Sequence, residues 1–532
     1  MTESPSVLDW SNPYRANRSP VFARNLVATS QPLAAWAGVR AMAEGGNAVD
    51  AALATAITLT VVEPNNNGIG SDAFAIVATG GELIGLNASG RSPAGWYPER
   101  FAGRATMPSL GWDAVTVPGA VSGWVALSER FGKLPFDKLF ECAIAYAENG
   151  FQVGPKTGYF WRFIKDRYRN YPEFLRTFAP GGRIPAIGDT MRLPEHARTL
   201  RSIATTGGES FYRGELALAM VADSDARGGV MSMDDLANHR ADWVSPLSVD
   251  FGQASLHEIP PNGQGLMALI ALGIVNERDI AAFAQDSADA VHLQIEATRI
   301  AYAEIERHLA DIDHMVVSPE TLLTPGYLQA RAAQIDMTRA NPTPTAMGAS
   351  PDTVYLCTAD ASGMMVSMIQ SNYRGFGSGI VVPGTGISLQ NRGEGFTLEA
   401  GHPNQVGPNK RPYHTIIPGF ASHGNQPALA FGVMGGHMQA QGHLQMMVRI
   451  FAFGQNPQAA SDAPRWHLRE DGVVCLEDGF DQGVASELGA RGHQVQFGNP
   501  EHLFGGAQLI YRMPGGYCAG SDHRKEGLAL GF

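Results

Sequence analysis

Apolar positions fall into two regimes along this chain. Near the start, Leu33, Trp36, Ala37 and Met42 recur at helical spacing behind Pro32, and Gly45-Gly46 stops the run. Thr29-Ser30 offers the caps for this helix. Asn47 opens a second helix, with Asp50 three residues on as a capping-box variant. Val49, Ala52, Leu53, Ala56, Ile57 and Val61 cover nearly every face of it, so it belongs inside a core, and Pro64 ends it. A loop at 65–70 leads to a strand at 73–77, a turn at Gly80-Gly81 and a returning strand at 83–86. The middle, residues 120–340, reads as mostly helical, punctuated by Lys133-Leu134-Pro135, Pro260-Pro261-Asn262-Gly263 and Pro325-Gly326. Residues 338–351, rich in Pro, Thr, Ala and Gly, read as an exposed linker. Beyond it the pattern turns to strands, at 353–359 and 364–371. Asp360-Ala361-Ser362-Gly363 joins them with the Asp and Gly of a type I turn. Helix-rich then strand-rich predicts layers of helix on sheet that share one core.

Composition narrows the function classes. A chain of 532 residues gives two structural lobes as the starting expectation. With 44% hydrophobic and 17% charged residues it has a soluble globular balance. The net charge of -12, without a Lys/Arg block, argues against nucleic acid as a partner. An anionic small molecule needs only one local cationic pocket and stays open. The N-terminus lacks the basic start and apolar core of a secretory signal, and the longest apolar stretch, Ala48–Val62, is too short to span a bilayer. Cys142, Cys357, Cys475 and Cys518 show no CxxC spacing and read as reduced thiols. The expectation is a cytoplasmic protein without a membrane partner.

The junction Pro351-Asp352-Thr353-Val354-Tyr355 carries the first candidate chemistry. A hydroxyl opening a strand behind a linker can attack the carbonyl before it, and water then splits the ester. The freed threonine would hold nucleophile and base on one residue, because an α-amine titrates at about 7.7–8.0. A threonine at such a place is ordinarily only a β-former. In Gly432-Val433-Met434-Gly435-Gly436-His437, paired glycines let backbone N–H groups approach a substrate, as an oxyanion hole requires; the plainer reading is a tight turn. Arg91, in a loop, has the fork to bind a carboxylate through two hydrogen bonds. Asp311-Ile312-Asp313-His314 lacks calcium-loop spacing and reads as a helix end, and His292 and His308 do not share an HExxH helix. No phosphate loop occurs; neither a metal nor a cofactor is expected.

Together these residues resemble the γ-glutamyltransferase (γ-glutamyltranspeptidase) family over nearly the whole chain. Gly45-Gly46-Asn47-Ala48-Val49-Asp50 with Val62-Glu63-Pro64, then Val117-Pro118-Gly119-Ala120-Val121-Ser122-Gly123, look like its opening blocks. Asp352-Thr353, Gly375-Phe376-Gly377-Ser378-Gly379, Gly407-Pro408-Asn409-Lys410-Arg411-Pro412 and Gly435-Gly436 follow in order. The resemblance implies an α+β fold, a four-layer αββα sandwich of N-terminal-nucleophile type. It implies cleavage between Asp352 and Thr353, giving a large piece 1–352 and a small piece 353–532 that stay associated, with a higher oligomer as an open option. Thr353 would be the nucleophile, and Gly435 and Gly436 the oxyanion donors. Arg91 would grip the substrate carboxylate, with Ser371, Tyr373, Arg392, Tyr413 and His414 completing the substrate-binding set.

Departures from the family pattern bear on the substrate. In Gln390-Asn391-Arg392-Gly393-Glu394-Gly395-Phe396, Gly395 stands where the family has an acid for the glutamyl ammonium, and Arg392 replaces a neutral glutamine. Tyr413-His414-Thr415 replaces a leucine and two serines, and Tyr373 stands at the place of a substrate-binding asparagine. A charge pair at about 4 Å with an effective dielectric of 20 is worth roughly 4 kcal/mol. Half of that already exceeds tenfold in affinity. The pocket is therefore expected to take an acyl group with a carboxylate and no ammonium, unless Glu394 swings in as a substitute. The sequence looks most like the oxamate amidohydrolase branch, and the bulk of Tyr373, Tyr413 and His414 favours a small acid. The alternatives are a glutathione hydrolase or γ-glutamyltransferase, a glutaryl-cephalosporin-type acylase, and a non-catalytic binding protein on the same fold.

Overall fold

A computed structural model of the chain describes residues 18–341, 352–424 and 426–532. Two seven-stranded antiparallel sheets form its centre. The first contains β1 (Val21–Ala23), β6 (Leu247–Phe251), β7 (Ala254–Glu258), β10 (Gly419–His423), β11 (Gln426–Met434), β12 (Gly506–Met513) and β13 (Gly516–Ser521). Their order is β1-β13-β12-β11-β10-β7-β6. The second contains β2 (Leu26–Thr29), β3 (Asp72–Thr79), β4 (Glu82–Ala88), β5 (Asp242–Val244), β8 (Asp352–Ala359), β9 (Met365–Tyr373) and β14 (Leu528–Gly531). Their order is β14-β2-β8-β9-β3-β4-β5.

Helices cover both outer faces. On the second sheet lie α1 (Pro32–Ala43), α2 (Ala48–Val62) and α3 (Ala120–Phe131), with α4 (Pro194–Thr206) further out. On the first lie α5 (Gly265–Asn276), α6 (Ala288–His308) and α7 (Met438–Met447). The two-residue period of the strands decides which side chains meet which layer. Ala73, Ala75 and Val77 of β3, with Val354 and Leu356 of β8, pack under Val49, Leu53 and Ala56 of α2. Their alternates Phe74, Ile76 and Tyr355 face Phe420, Ala430, Met434 and Ile510 across the space between the sheets. Leu429, Phe431 and Val433 of β11 point the other way, into Leu269, Leu293 and Leu444 of the second helical layer. The fold is thus α+β, a four-layer αββα sandwich, and the two lobes expected from length are absent as separate bodies among the described residues.

The capping box at Asn47 is present: its side chain accepts from Val49 and Asp50 N–H, and Asp50 accepts from Asn47 N–H. The caps expected for α1 are different. Gln31 supplies them, accepting from Leu33 and Ala34 N–H. Thr29 instead ends β2 and bonds Tyr355 O, while Ser30 bonds Glu63. The stretch expected to be mostly helical also contains β5, β6 and β7. Leu247–Phe251 and Ala254–Glu258 alternate in burial about the turn at Gly252, and β7 joins the first sheet through β10. Asp311 caps a short 3-10 turn, Ile312–His314. Of the expected linker, residues 342–351 lie outside the described ones. Its beginning is fastened down, with Ala340 N–H on Arg491 O and Asn341 N–H on Glu296.

Candidate active site

Strand β8 pairs with β9 with a slip at its first residues. Asp352 stands opposite Tyr373 and Val354 opposite Gln370, so Ser371 and Asn372 together face the single position of Thr353. Such a bulge bends the strand and re-aims side chains. Tyr373 closes it with φ +78°, a left-handed conformation that is costly for a bulky residue. Its N–H donates to Ser371 Oγ at 2.8 Å. The Thr353 hydroxyl donates to the same Ser371 oxygen at 3.3 Å and accepts from Gln439 Nε2 at 3.3 Å. Both are long for a hydroxyl, and Thr353 is completely buried.

Gln439 comes from α7, the helix that follows β11 of the facing sheet. There β11 ends at Met434, and the chain turns into α7 through Gly435 at φ +118° and Gly436 at φ +58°. Only glycine takes both conformations without strain. The Gly435 carbonyl accepts from Met438 N–H at 3.0 Å. The N–H of Gly436 lies on the opposite edge of that trans peptide and so points away from the helix. The Gly436 carbonyl accepts from Gln264 Nε2 at 2.8 Å.

Arg392 forms the cationic end. Its guanidinium lies 4.5 Å over the Tyr373 ring, and Nη1 donates to Thr415 Oγ1 at 2.7 Å. Nε and Nη2 are buried and find no hydrogen-bond partner among the described residues. Burial brings its pKa down to about 10, which leaves it charged at neutral pH. Glu394 does not take up the missing acid's place, because it pairs with Arg374 at 2.9 Å. At Gly395 a Cβ would stand 2.4 Å from Tyr413 O, so no acidic side chain fits there. The Tyr413 hydroxyl donates to Gln264 Oε1 at 2.9 Å and lies 3.1 Å from His437 Nδ1, whose ring it stacks on.

His414 offers no spare polar atom. Its Nδ1 accepts from Ile416 N–H, which leaves Nε2–H to donate to Asp72 at 3.1 Å. Burial holds it well below the usual imidazole range and therefore neutral, helped by Arg392 and Arg411. Asp72 is equally buried and is pushed up to about 7 by desolvation, against the pull of Arg392 and of N–H groups from Gly119 and Gly90. Those glycines explain two sequence blocks. A Cβ at Gly119 would stand 1.6 Å from Ala88 O, and one at Gly90 1.5 Å from Val117 O. Asp72 also sits at the N-terminus of α3, where a carboxylate is favoured. Arg91 is a third exposed, and its Nη2 is 3.8 Å from Asp242. Arg411 holds the same carboxylate at 2.6 Å and donates from Nε to Ser89 O.

The candidates named from sequence thus divide. Thr353, Ser371, Tyr373 and Gly436 gather at the bulge, linked through Gln439. Arg392 and Tyr413 connect to them through Thr415 and Gln264, His414 packs behind with Asp72, and Arg91 pairs outward with Asp242. Sequence reasoning missed Asp72, Gln264, Arg411 and Gln439. Asp72 carried a faint signal, a carboxylate directly before an apolar strand. One cluster of metal-ligand types exists among the described residues, His292, Glu296 and His493. It lies where α6 meets the segment after Arg491, and Arg299 stands 3.3 Å from Glu296, a fixed charge that opposes a cation. No described helix is long and apolar enough to cross a membrane.

Comparison with known proteins agrees with this architecture. An oxamate amidohydrolase proenzyme of Klebsiella pneumoniae is 35% identical over 97% of this chain and 99% of that protein. A glutathione hydrolase-like proenzyme of Bacillus subtilis is 32% identical over 97% and 100%. The crystal structure of a cephalosporin acylase from Bacillus halodurans superposes with a TM-score of 0.94 and 46% identity, covering 99% of both chains. A family model described as gamma-glutamyltranspeptidase matches residues 34–532. The chain belongs to the gamma-glutamyltranspeptidase family.

Proposed function

We propose that this protein is a self-processing amidohydrolase that cleaves the amide of a small anionic acyl group, with oxamate as the leading substrate. In the first step Thr353 Oγ adds to the Asp352 carbonyl carbon and the peptide C–N bond breaks. Water then hydrolyses the ester, leaving pieces 1–352 and 353–532. The freed α-amine takes the hydroxyl proton of Thr353 in each later cycle. The hydroxyl attacks the substrate amide, and the N–H groups of Gly435 and Gly436 hold the oxyanion. Ammonia leaves with a proton returned by the amine, and water releases the acid from the ester. Supporting the processing step, relatives are proenzymes, and Thr353 stands at a bulge between two hydrogen-bonding side chains.

The observation that carries the substrate class is Arg392, buried and charged with two unused donor atoms. Among the described residues, no acid is free beside it to receive an ammonium. Glu394 is tied to Arg374, and Asp72 is taken by His414 and two backbone N–H groups. A carboxylate fits this end and a glutamyl ammonium does not. Oxamate, a carboxylate joined directly to an amide, meets the requirement, and it is the substrate named for the Klebsiella relative. A glutaryl-type acyl group meets the same charge requirement at greater length, in keeping with the acylase structure.

The test is ammonia release from oxamate and longer anionic amides, with γ-glutamyl-p-nitroanilide alongside. Ammonia from an anionic amide with no reaction on the chromogenic amide is expected, and the reverse overturns the substrate class. Sequencing the fragments is expected to show a chain beginning Thr-Val-Tyr-Leu. An active enzyme without that fragment overturns the nucleophile.

A further inference from the structure

We infer that Gln264 is a positioning residue that sets the length of acyl group the site accepts, an inference that rests on the function proposed above. Gln264 precedes α5, in the part of the chain ahead of Thr353, and is completely buried. Its single amide nitrogen donates to two carbonyls, Thr415 O at 2.5 Å and Gly436 O at 2.8 Å. Its Oε1 accepts from the Tyr413 hydroxyl at 2.9 Å, and its backbone N–H donates to His414 O at 2.9 Å. Both amide hydrogens are therefore used inside the site, and no water is needed to complete them.

The two carbonyls belong to the residues that would meet the two ends of the substrate. Thr415 holds Arg392, the receptor for the carboxylate. Gly436 belongs to the glycine pair, the receptor for the oxyanion. An acyl group that reaches both must match their separation, and one nitrogen atom ties the two segments at that separation. The tie runs through a side chain of fixed reach, so it acts as a spacer. For a short acid, with no rotatable methylenes, the match has no slack. Misplacement of about 1 Å is enough to cost about 100-fold in rate. Longer acids have internal torsions that absorb such a shift.

The experiment compares Gln264→Asn and Gln264→Glu with the unaltered enzyme on oxamate, malonamate, succinamate and glutaramate. Asn withdraws the nitrogen by one methylene. Glu keeps the acceptor for Tyr413 and replaces the donor with an oxygen that repels both carbonyls. Intact mass and thermal melting establish that each variant folds and processes. For each variant, kcat/KM on the shortest acid the unaltered enzyme hydrolyses is expected to fall at least tenfold. The longest acid is expected to lose less than threefold, so the ratio between them collapses. A loss shared equally by every length, or an unchanged ratio, overturns the spacer role and leaves Gln264 as packing. The unaltered enzyme's own profile tests the proposed substrate class separately: if it hydrolyses none of these amides, that class fails and the inference falls with it.

Discussion

Arg392 brings a full charge into a region where water is excluded, and such a charge is retained only if something repays its desolvation. The Tyr373 ring, Thr415 and the nearby Asp72 return part of that cost in the free protein. The unused Nε and Nη2 leave the rest for a ligand. A carboxylate would accept both through parallel bonds, a geometry that lysine cannot reproduce. Arg392→Lys is therefore expected to raise KM for anionic amides about tenfold, while a truncation such as Arg392→Leu costs about 2–5 kcal/mol of binding. Steady-state kinetics on the processed enzyme measures both. An unchanged KM in the lysine variant would mean that the guanidinium serves the fold and not the substrate. The same scale shows why part of the site was hidden in the sequence. Arg392 and Gly395 were legible as departures from a pattern. Asp72 was not, because its partners Gly90, Gly119 and His414 come from three distant segments.

Elements respond to substitution according to which ends and faces they bury. Asn47 caps α2 from inside the molecule and also donates to Phe131 O. Asn47→Ala is expected to cost about 1–2 kcal/mol, read as a lowered urea midpoint with an unchanged slope. The start of α2 was readable because its cap residues, Asn47 and Asp50, stand close together in sequence. The start of α1 was not, since Thr29 and Ser30 are drawn away by Tyr355 and Glu63, contacts that exist only after the layers close. Helix α4 supplies a pH-dependent case. His196 is completely buried on it, and desolvation lowers its pKa to about 4 from the ordinary 6.5. As pH falls below 6.5 the unfolded chain takes up this proton first, so stability present above 6.5 is lost down to about pH 4. The loss reaches about 3 kcal/mol. Asp72 and Glu63, both raised to about 7 by burial, act in the opposite sense and lose their contribution as pH rises towards 7. In urea titrations between pH 4 and 7 the stability of the parent is expected to fall relative to that of His196→Leu as the pH is lowered, because the carboxyls act equally in both. Parallel slopes would place the titrating group elsewhere.

At the scale of the molecule, a cut before Thr353 divides the sequence but not the fold. In the second sheet β8 and β9 lie between β2 and β3, so strands of the later part are flanked on both sides by strands of the earlier part. In the first sheet β10, β11, β12 and β13 are bounded by β7 at one side and β1 at the other. Separating the pieces would break five strand pairings, β8 with β2, β9 with β3, β10 with β7, β13 with β1 and β14 with β2, and open all three apolar layers. The last of these, β14 with β2, closes the edge. An interface that resembles a domain core cut in half behaves as an obligate one. Processed protein is therefore expected to elute at the size of the intact chain in native gel filtration and to show both fragments only under denaturing conditions. Its unfolding in urea should follow one transition by circular dichroism and by tryptophan fluorescence together, because neither piece keeps a complete core alone. Two resolved transitions, or a small piece that elutes by itself and stays folded, would show that the halves carry independent cores and that the shared sheets are not what holds them together.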